Sequence, residues 1–287
     1  MPELPEVETI VRQINKEVCN RKITDFLCFS KEILKNTSPL EFKNKTKNKK
    51  ILKAERKGKN ILIYLDNNLI ILIHLKLTGH LLLGNYQLKN NELVPQEDLL
   101  KDPNNRFIRL AFKLDNNKYL ALSDLRKFAK VLLLRKEDLT KEISSLGIDP
   151  LAEDFSLDKL KQILFQKRGI IKKFLMNQKY ISGVGNIYAS EILFEAKIHP
   201  LKKIESLKKE EIENLYLAIK KVLKKAIQYQ GTSAQDETYR NIYGEKGGYT
   251  RFLKVYQRKK CPICSGDIKR IRIDNRSTFY CPNCQKL

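Results

Sequence analysis

The sequence predicts an α+β chain in two lobes: an N-terminal helix plus β-sandwich, then a helical lobe that ends in a β-hairpin bearing paired cysteines. Three observations carry that prediction. Apolar residues at helical spacing follow two N-terminal prolines, short β-rich runs fill the chain to about residue 135, and helical periodicity takes over from Leu157. At about 100 to 200 residues per domain, a chain of 287 residues makes about two folded units, each able to bury a sizeable core.

Val7, Ile10, Val11, Ile14 and Val18 recur at steps of three and four, the apolar stripe of an amphipathic helix. Runs over 22–30, 60–65, 69–75, 107–114, 119–122 and 131–134 read as strands of a sheet or sandwich. Leu65-Asp66-Asn67-Asn68 and Leu114-Asp115-Asn116-Asn117 are hairpin turns, because Asn and Asp tolerate left-handed backbone. Their likeness is turn chemistry, with no wider repeat behind it. Strand patterning stops near Gly147, which puts a linker at 136–152 between a domain over 1–135 and one over 153–244. In the helical half, Ser182-Gly183-Val184-Gly185-Asn186 is a tight turn opening a helix over 187–196, and a further helix spans 207–229. The last unit, 245–287, shows a hairpin pattern over 252–257, 268–273 and 277–280, with cysteines at the knuckles.

Lys plus Arg total 56 against 33 Asp plus Glu, a net charge of +23, which points to a polyanionic partner. The excess is +9 over 1–150 (28 basic, 19 acidic) and +14 over 151–287 (28 and 14), so it is no detachable tail. The longest apolar run, 69–77, is broken by His74 and Lys76 and falls short of the roughly 20 residues that span a bilayer. No membrane association is therefore expected. Acids and prolines stand where a secretory signal has basic and then apolar residues, so the expected location is the cytoplasm.

Cys261-Pro262-Ile263-Cys264 and Cys281-Pro282-Asn283-Cys284 form C-x2-C-x16-C-x2-C, the spacing with which two knuckles offer four thiolates to one zinc ion. Four thiolates close the shell and leave no position for water, so the zinc is structural. It staples a segment, 251–287, that carries ten basic and two acidic residues and is too small to fold on its own core. Cys19 and Cys28 read as core residues.

Chemistry must come from elsewhere. Pro2 follows the initiator Met, whose removal would expose a secondary amine close to Glu3 and Glu6. An α-amine titrates near about 7.7 to 8.0, so a useful fraction is a neutral nucleophile at physiological pH. The alternative is structural, since proline and acids in a first turn also mark an ordinary helix start.

Met1-Pro2-Glu3-Leu4-Pro5-Glu6-Val7-Glu8-Thr9 closely resembles the opening of the bacterial formamidopyrimidine-DNA glycosylases (MutM/Fpg family). Further stretches resemble the same family in the same order: Arg56-Lys57-Gly58-Lys59, His74-Leu75-Lys76-Leu77-Thr78-Gly79, Asp124-Leu125-Arg126-Lys127-Phe128, Gly183-Val184-Gly185-Asn186-Ile187-Tyr188-Ala189-Ser190-Glu191, Ile198-His199-Pro200 and Asn275-Arg276-Ser277-Thr278-Phe279-Tyr280-Cys281-Pro282. The resemblance covers essentially the full length.

It implies a bifunctional glycosylase and abasic-site lyase of base excision repair, acting on double-stranded DNA that contains oxidised purines or abasic sites. By the resemblance, Pro2 is the nucleophile, Glu3 handles protons at the sugar, Lys59 serves β-elimination, and Arg276 clamps phosphate for δ-elimination. The resemblance also implies DNA contacts at Glu6, His74, Leu77, Asn105, Arg126, Phe128, Lys167, Asn186 and Tyr188, a helix-two-turn-helix element around Asn186, and a lesion-capping loop at 231–249. Leu77, Arg126 and Phe128 stand at the wedge positions, with Leu77 where the family has Met. Asn105 replaces a common His, and the 231–249 loop is about two residues longer than the pattern. No organic cofactor is implied, and a monomer is expected. His80 reads as a solvated loop residue and His199 as a helix-end residue, neither with a role.

Two alternatives remain at this point. One is an endonuclease VIII-like enzyme with the same Pro2 and Glu3 chemistry on oxidised pyrimidines. The other is a non-catalytic zinc-ribbon DNA-binding protein whose positive field alone supplies affinity.

Overall fold

The computed structural model describes residues 1–234 and 239–287. Part of the expected capping loop, 235–238, lies outside the described residues. The chain divides into two compact units, Met1–Ser144 with Gln230–Gly248, and Ser145–Tyr229 with Tyr249–Leu287. Of the segment expected to belong with the helical half, 231–249, the described residues up to Gly248 therefore group with the first unit. Its long-range bonds explain why: Ile242 O accepts from Leu83 N at 2.7 Å, and the Tyr243 hydroxyl donates to Glu17 at 2.9 Å.

In the first unit, helix α1 (Leu4–Glu17) buries Val7, Ile10, Val11 and Ile14, as the stripe predicts. It lies on a sandwich of two antiparallel sheets. One sheet holds β1 (Ile23–Cys28), β8 (Ile108–Leu114), β9 (Tyr119–Asp124) and β5 (Gly79–Gly84), in that order. The other holds β10 (Lys130–Arg135), β4 (Leu69–His74), β3 (Asn60–Leu65) and β2 (Ile51–Lys57). A small hairpin, β6 (Tyr86–Lys89) with β7 (Glu92–Pro95), and two short α-helices, α2 (Pro39–Thr46) and α3 (Leu139–Ile143), belong to the same unit, along with short 3-10 turns. Both predicted Asn turns form, joining β3 to β4 and β8 to β9, with Asn68 and Asn117 at φ +60° and +63°.

Strands β2 and β5 were not legible in the sequence. All six residues of β5 are buried, so period-two alternation vanishes, and His80 sits inside it at 2 % exposure instead of in a solvated loop. Strand β2 is an edge whose charged outer residues mask its two inward positions, Ile51 and Ala54. Cys19 and Cys28 pack, partly buried, against the core.

The second unit contains α4 (Leu157–Phe165), α5 (Ile171–Met176), α6 (Asn186–Glu195), α7 (Lys209–Gln228) and the hairpin β11 (Lys269–Ile273) with β12 (Arg276–Tyr280). The strand expected over 252–257 does not form. Glu191 of α6 is fully buried, and its carboxylate takes the backbone N–H groups of Lys254, Val255 and Tyr256 at 2.8, 3.0 and 2.8 Å. Those are the donors a ladder would need. No helix among the described residues is long and apolar enough to cross a membrane.

Candidate active site and nucleic-acid interface

In the first unit the site begins at the α1 N-terminus. Glu3 is the N-cap, and Pro5 occupies the first turn, so Pro2 precedes the helix instead of opening it. The Glu3 backbone N–H donates to Glu6 Oε2 at 2.8 Å, one arm of a capping box. Glu6 Oε1 accepts from the Thr232 backbone N–H at 2.7 Å. Pro2, Glu3 and Glu6 are all buried. Two carboxylates under a helix N-terminus are stabilised by its dipole and unpaired N–H groups. Glu6, expected as a DNA contact, is 1 % exposed: its carboxylate spans two backbone segments and does not face solvent.

The Gly58-Lys59 turn between β2 and β3 needs a left-handed residue, which Gly58 supplies at φ +59°. Arg56, next to that turn, pairs with Glu8 of α1 at 2.8 Å, so the helix carrying Glu3 also places the hairpin carrying Lys59. Lys59 is only 7 % exposed. His74 ends β4, and its Nδ1 accepts the Lys76 N–H at 3.0 Å. Burial, then the charges of Lys76 and Lys59, hold its pKa at about 4, so the ring is neutral at pH 7 with its proton on Nε2.

Two loops meet beyond β4 and β9. The Thr78 hydroxyl donates to Asp124 Oδ1 and accepts from Arg126 N, while Asp124 also takes Arg126 N at 3.2 Å and Ala129 N at 2.8 Å. Leu77 and Phe128 are 37 % and 50 % exposed on these loops, and the Arg126 guanidinium lies 4.6 Å from the Phe128 ring centre. The structure thus brings together the three wedge candidates. Asp124, fully buried, holds them, and the sequence reading gave it no part; a lone acid closing an apolar strand before Leu-Arg-Lys-Phe was the available signal.

Asn105 is not at a surface. It is 2 % exposed, accepts from His80 Nε2 at 2.9 Å and donates to the Leu99 carbonyl at 3.1 Å. The ring of His80, buried against this amide, titrates at about 4. Tyr188, expected as a DNA contact, has a buried side chain whose ring lies 6.0 Å from that of Tyr249 within the second unit. His199 is mostly buried in the turn after α6, edge-on to Tyr280 at 4.6 Å.

In the second unit, Asn186 starts α6 and donates Nδ2 to the Ser277 carbonyl at 2.9 Å, tying the helix start to β12. Lys172 is fully buried and donates to the hydroxyls of Ser190 and Thr278, both at 2.9 Å, a link between α5, α6 and β12 that sequence reading missed. Lys167 lies 4.6 Å from the Tyr180 ring centre. Arg276 is exposed at the start of β12, after a turn in which Asp274 and Asn275 have φ +45° and +60°.

The Sγ atoms of Cys261, Cys264, Cys281 and Cys284 lie within 4.8 Å of one another, with Cys261–Cys284 at 3.8 Å and Cys264–Cys281 at 3.5 Å. Tetrahedral zinc at about 2.3 Å per thiolate sets neighbouring sulfurs about 3.8 Å apart, so the donor set fits one structural zinc ion. The Cys264 thiol is drawn down to about 6, first by the Gly266 backbone N–H and then by Cys281.

A capped carboxylate pair under an N-terminal helix, two loops clamped by Asp124 and a four-cysteine hairpin with an arginine at its tip define a class: zinc-hairpin α+β proteins with a large cationic excess. Residues 1–131 match the formamidopyrimidine-DNA glycosylase N-terminal domain, 146–238 its H2TH domain, and 258–287 the zinc finger found in FPG and IleRS. The chain belongs to the formamidopyrimidine-DNA glycosylase family. It is 36 % identical over 291 residues to the formamidopyrimidine-DNA glycosylase of Pelotomaculum thermopropionicum, covering 100 % of both chains. Against the enzyme of that name from Chloroflexus aurantiacus it is 36 % identical, covering 99 % of this chain and 98 % of that one. Among solved structures, it resembles the Lactococcus lactis Fpg in complex with DNA containing an abasic site, with TM-score 0.87, 28 % identity and coverage of 99 % and 100 %. The complex of that protein with DNA containing N7-benzyl-Fapy-dG gives TM-score 0.86 at 29 % identity, covering 100 % of both chains.

Proposed function

We propose that the chain is a bifunctional DNA glycosylase and abasic-site lyase of base excision repair, excising oxidised purines such as 8-oxoguanine and formamidopyrimidines from duplex DNA. The full-length family membership carries this reading, and the buried Glu3 and Glu6 at the start of α1 support it. With Met1 removed, the Pro2 nitrogen is a secondary amine next to Glu3 in the chain. It attacks C1′ of the extruded nucleotide; the C1′–N bond breaks, the base leaves with a proton, and Glu3 protonates the ring oxygen as the sugar opens. The resulting iminium acidifies the C2′ protons, so loss of one expels the 3′ phosphate, and a second elimination expels the 5′ phosphate.

Lys59, on its constrained turn, serves the first elimination, and Arg276 clamps the phosphate of the second. Arginine acts here by charge, since it does not deprotonate. His74, neutral with Nε2–H as donor, is suited to a phosphate oxygen. Lys167 and the start of α6 at Asn186 add phosphate contacts, the latter through helix N-terminal amides. Leu77, Arg126 and Phe128 fill the gap left by the extruded nucleotide. Residues 1–144 serve as the catalytic domain, 153–229 as the helix-two-turn-helix domain, 231–249 as the cap over the lesion, and the zinc ion holds 245–287 in shape. The enzyme works as a monomer in the cytoplasm.

Borohydride trapping tests the reading. A duplex with 8-oxoguanine opposite cytosine is expected to give a covalent adduct that Pro2→Gly or retention of Met1 abolishes, and to react faster than an oxidised-pyrimidine duplex. A stronger adduct on the pyrimidine duplex would move the chain to endonuclease VIII-like specificity. Salt-sensitive DNA binding with no adduct on either duplex would leave a binding protein only.

A further inference from the structure

Arg109 is the extra residue of a β-bulge. Ile108 lies opposite Ser123 and Leu110 opposite Leu122, so two steps along β8 match one step along β9. A bulge turns its residue out of the alternating pattern and re-aims the side chain. Here the guanidinium is aimed at the end of β9: Nε donates to the Asp124 carbonyl at 2.7 Å and Nη2 to the Leu125 carbonyl at 3.4 Å. The Arg109 carbonyl is itself pinned by the N–H groups of Phe29 and Ser30, at 2.8 and 3.1 Å. The Phe107 ring, 5.8 Å from the guanidinium carbon, packs beside it.

The two carbonyls that Arg109 holds, of Asp124 and Leu125, immediately precede Arg126, with Phe128 two residues further on. Asp124 fixes the amide side of this loop through Arg126 N and Ala129 N, and Arg109 fixes the carbonyl side. An exposed pair between Lys127 and Glu32 at 3.1 Å adds a third tie. A wedge must push against base stacking, which resists by a few kcal/mol per step, so a loop free to swing would yield before the stack does.

We propose that Arg109 is a positioning residue for nucleotide extrusion, setting the pitch of the loop that carries Arg126 and Phe128. The proposal rests on the glycosylase reading above. Its signature is a loss confined to substrates whose base must be unstacked. Arginine is required for its fork, because two carbonyls in fixed geometry need two donors in fixed geometry, and lysine offers a single ammonium.

The test is single-turnover kinetics of wild type, Arg109→Met and Arg109→Lys on two duplexes, one with 8-oxoguanine opposite cytosine and one with a preformed abasic site, with 2-aminopurine beside the lesion reporting extrusion. Arg109→Met is expected to slow excision and the fluorescence rise about tenfold, to change duplex affinity and abasic-site cleavage less than about twofold, and Arg109→Lys to fall between. Equal losses on both duplexes, a loss confined to affinity, or full recovery by Arg109→Lys would overturn the role. Thermal melting is run alongside, and the Lys variant carries the comparison if the Met variant melts early. Wild type inactive on both duplexes would instead sink the glycosylase reading, and the extrusion role with it.

Discussion

The carboxylate of Glu6 takes the backbone N–H of Thr232 at 2.7 Å, across 226 residues of sequence. The same side chain caps α1 through the Glu3 N–H, so one buried residue ties the chain start to the segment proposed as the lesion cap. Glu6→Ala leaves both N–H groups buried without their acceptor and is expected to cost about 1–3 kcal/mol per orphaned donor, read in urea unfolding. Gly231→Ala tests the same joint from the other side. Its Cβ would meet Glu6 Oε1 at 2.7 Å on a backbone at φ +81°, so it too should destabilise, and excision should slow with it. Wild-type stability in both variants would refute the joint.

Two histidines make stability fall with acid. Burial is the leading cause in both, and His74 and His80 titrate at about 4 in the fold against 6.5 unperturbed. Above pH 6.5 neither state binds the proton and the full contribution is present. As pH falls from 6.5 to 4 the unfolded chain takes up protons the folded one refuses, so stability is lost. The slope is at most about 1.4 kcal/mol per pH unit per histidine. The difference between wild type and His80→Gln in urea midpoint, followed from pH 7.5 to 4.5, should grow smaller as pH falls; a constant difference would contradict the assignment.

Zinc removal should act locally. A chelator strong enough to strip a four-thiolate site, or Cys281→Ser, is expected to expose 251–287 to proteolysis and to weaken DNA binding, because Arg276 loses its hairpin. The sandwich has its own core and should keep its melting transition. Metal analysis should return one zinc per chain, and a DNA affinity unchanged after its loss would remove the hairpin from the interface.

The Lys172 ammonium is buried between two hydroxyls, and it bonds β12 to the helices of its own unit. Lys172→Met keeps the stem and removes the donors, which should cost about 1–3 kcal/mol. A double-mutant cycle with Thr278→Val is expected to show coupling of about 0.5 kcal/mol or more; additive losses would mean the bond contributes nothing.

Legibility followed the kind of residue. The stripe on α1, both Asn turns, α6 and the zinc knuckles announced themselves because each is a local pattern whose partners lie within a few residues or at a set spacing. Strand β5 did not, since burial on both faces erased its alternation, and the expected strand at 252–257 failed because Glu191 consumed its donors. Of the site candidates, Leu77, Arg126, Phe128 and Arg276 are exposed within their own units, whereas Pro2, Glu3, Glu6, Lys59, Asn105 and Tyr188 are buried.

Charge alone announced the class of partner, four cysteines the metal, and residue periodicity the succession of sandwich and helices. Which polar side chains are buried was settled later, by the packing of distant segments. A carboxylate, amide or ammonium leaves water only where remote chain supplies its hydrogen bonds, as Thr232 does for Glu6, His80 for Asn105 and Thr278 for Lys172. No local pattern of residues encodes a partner that far along the chain.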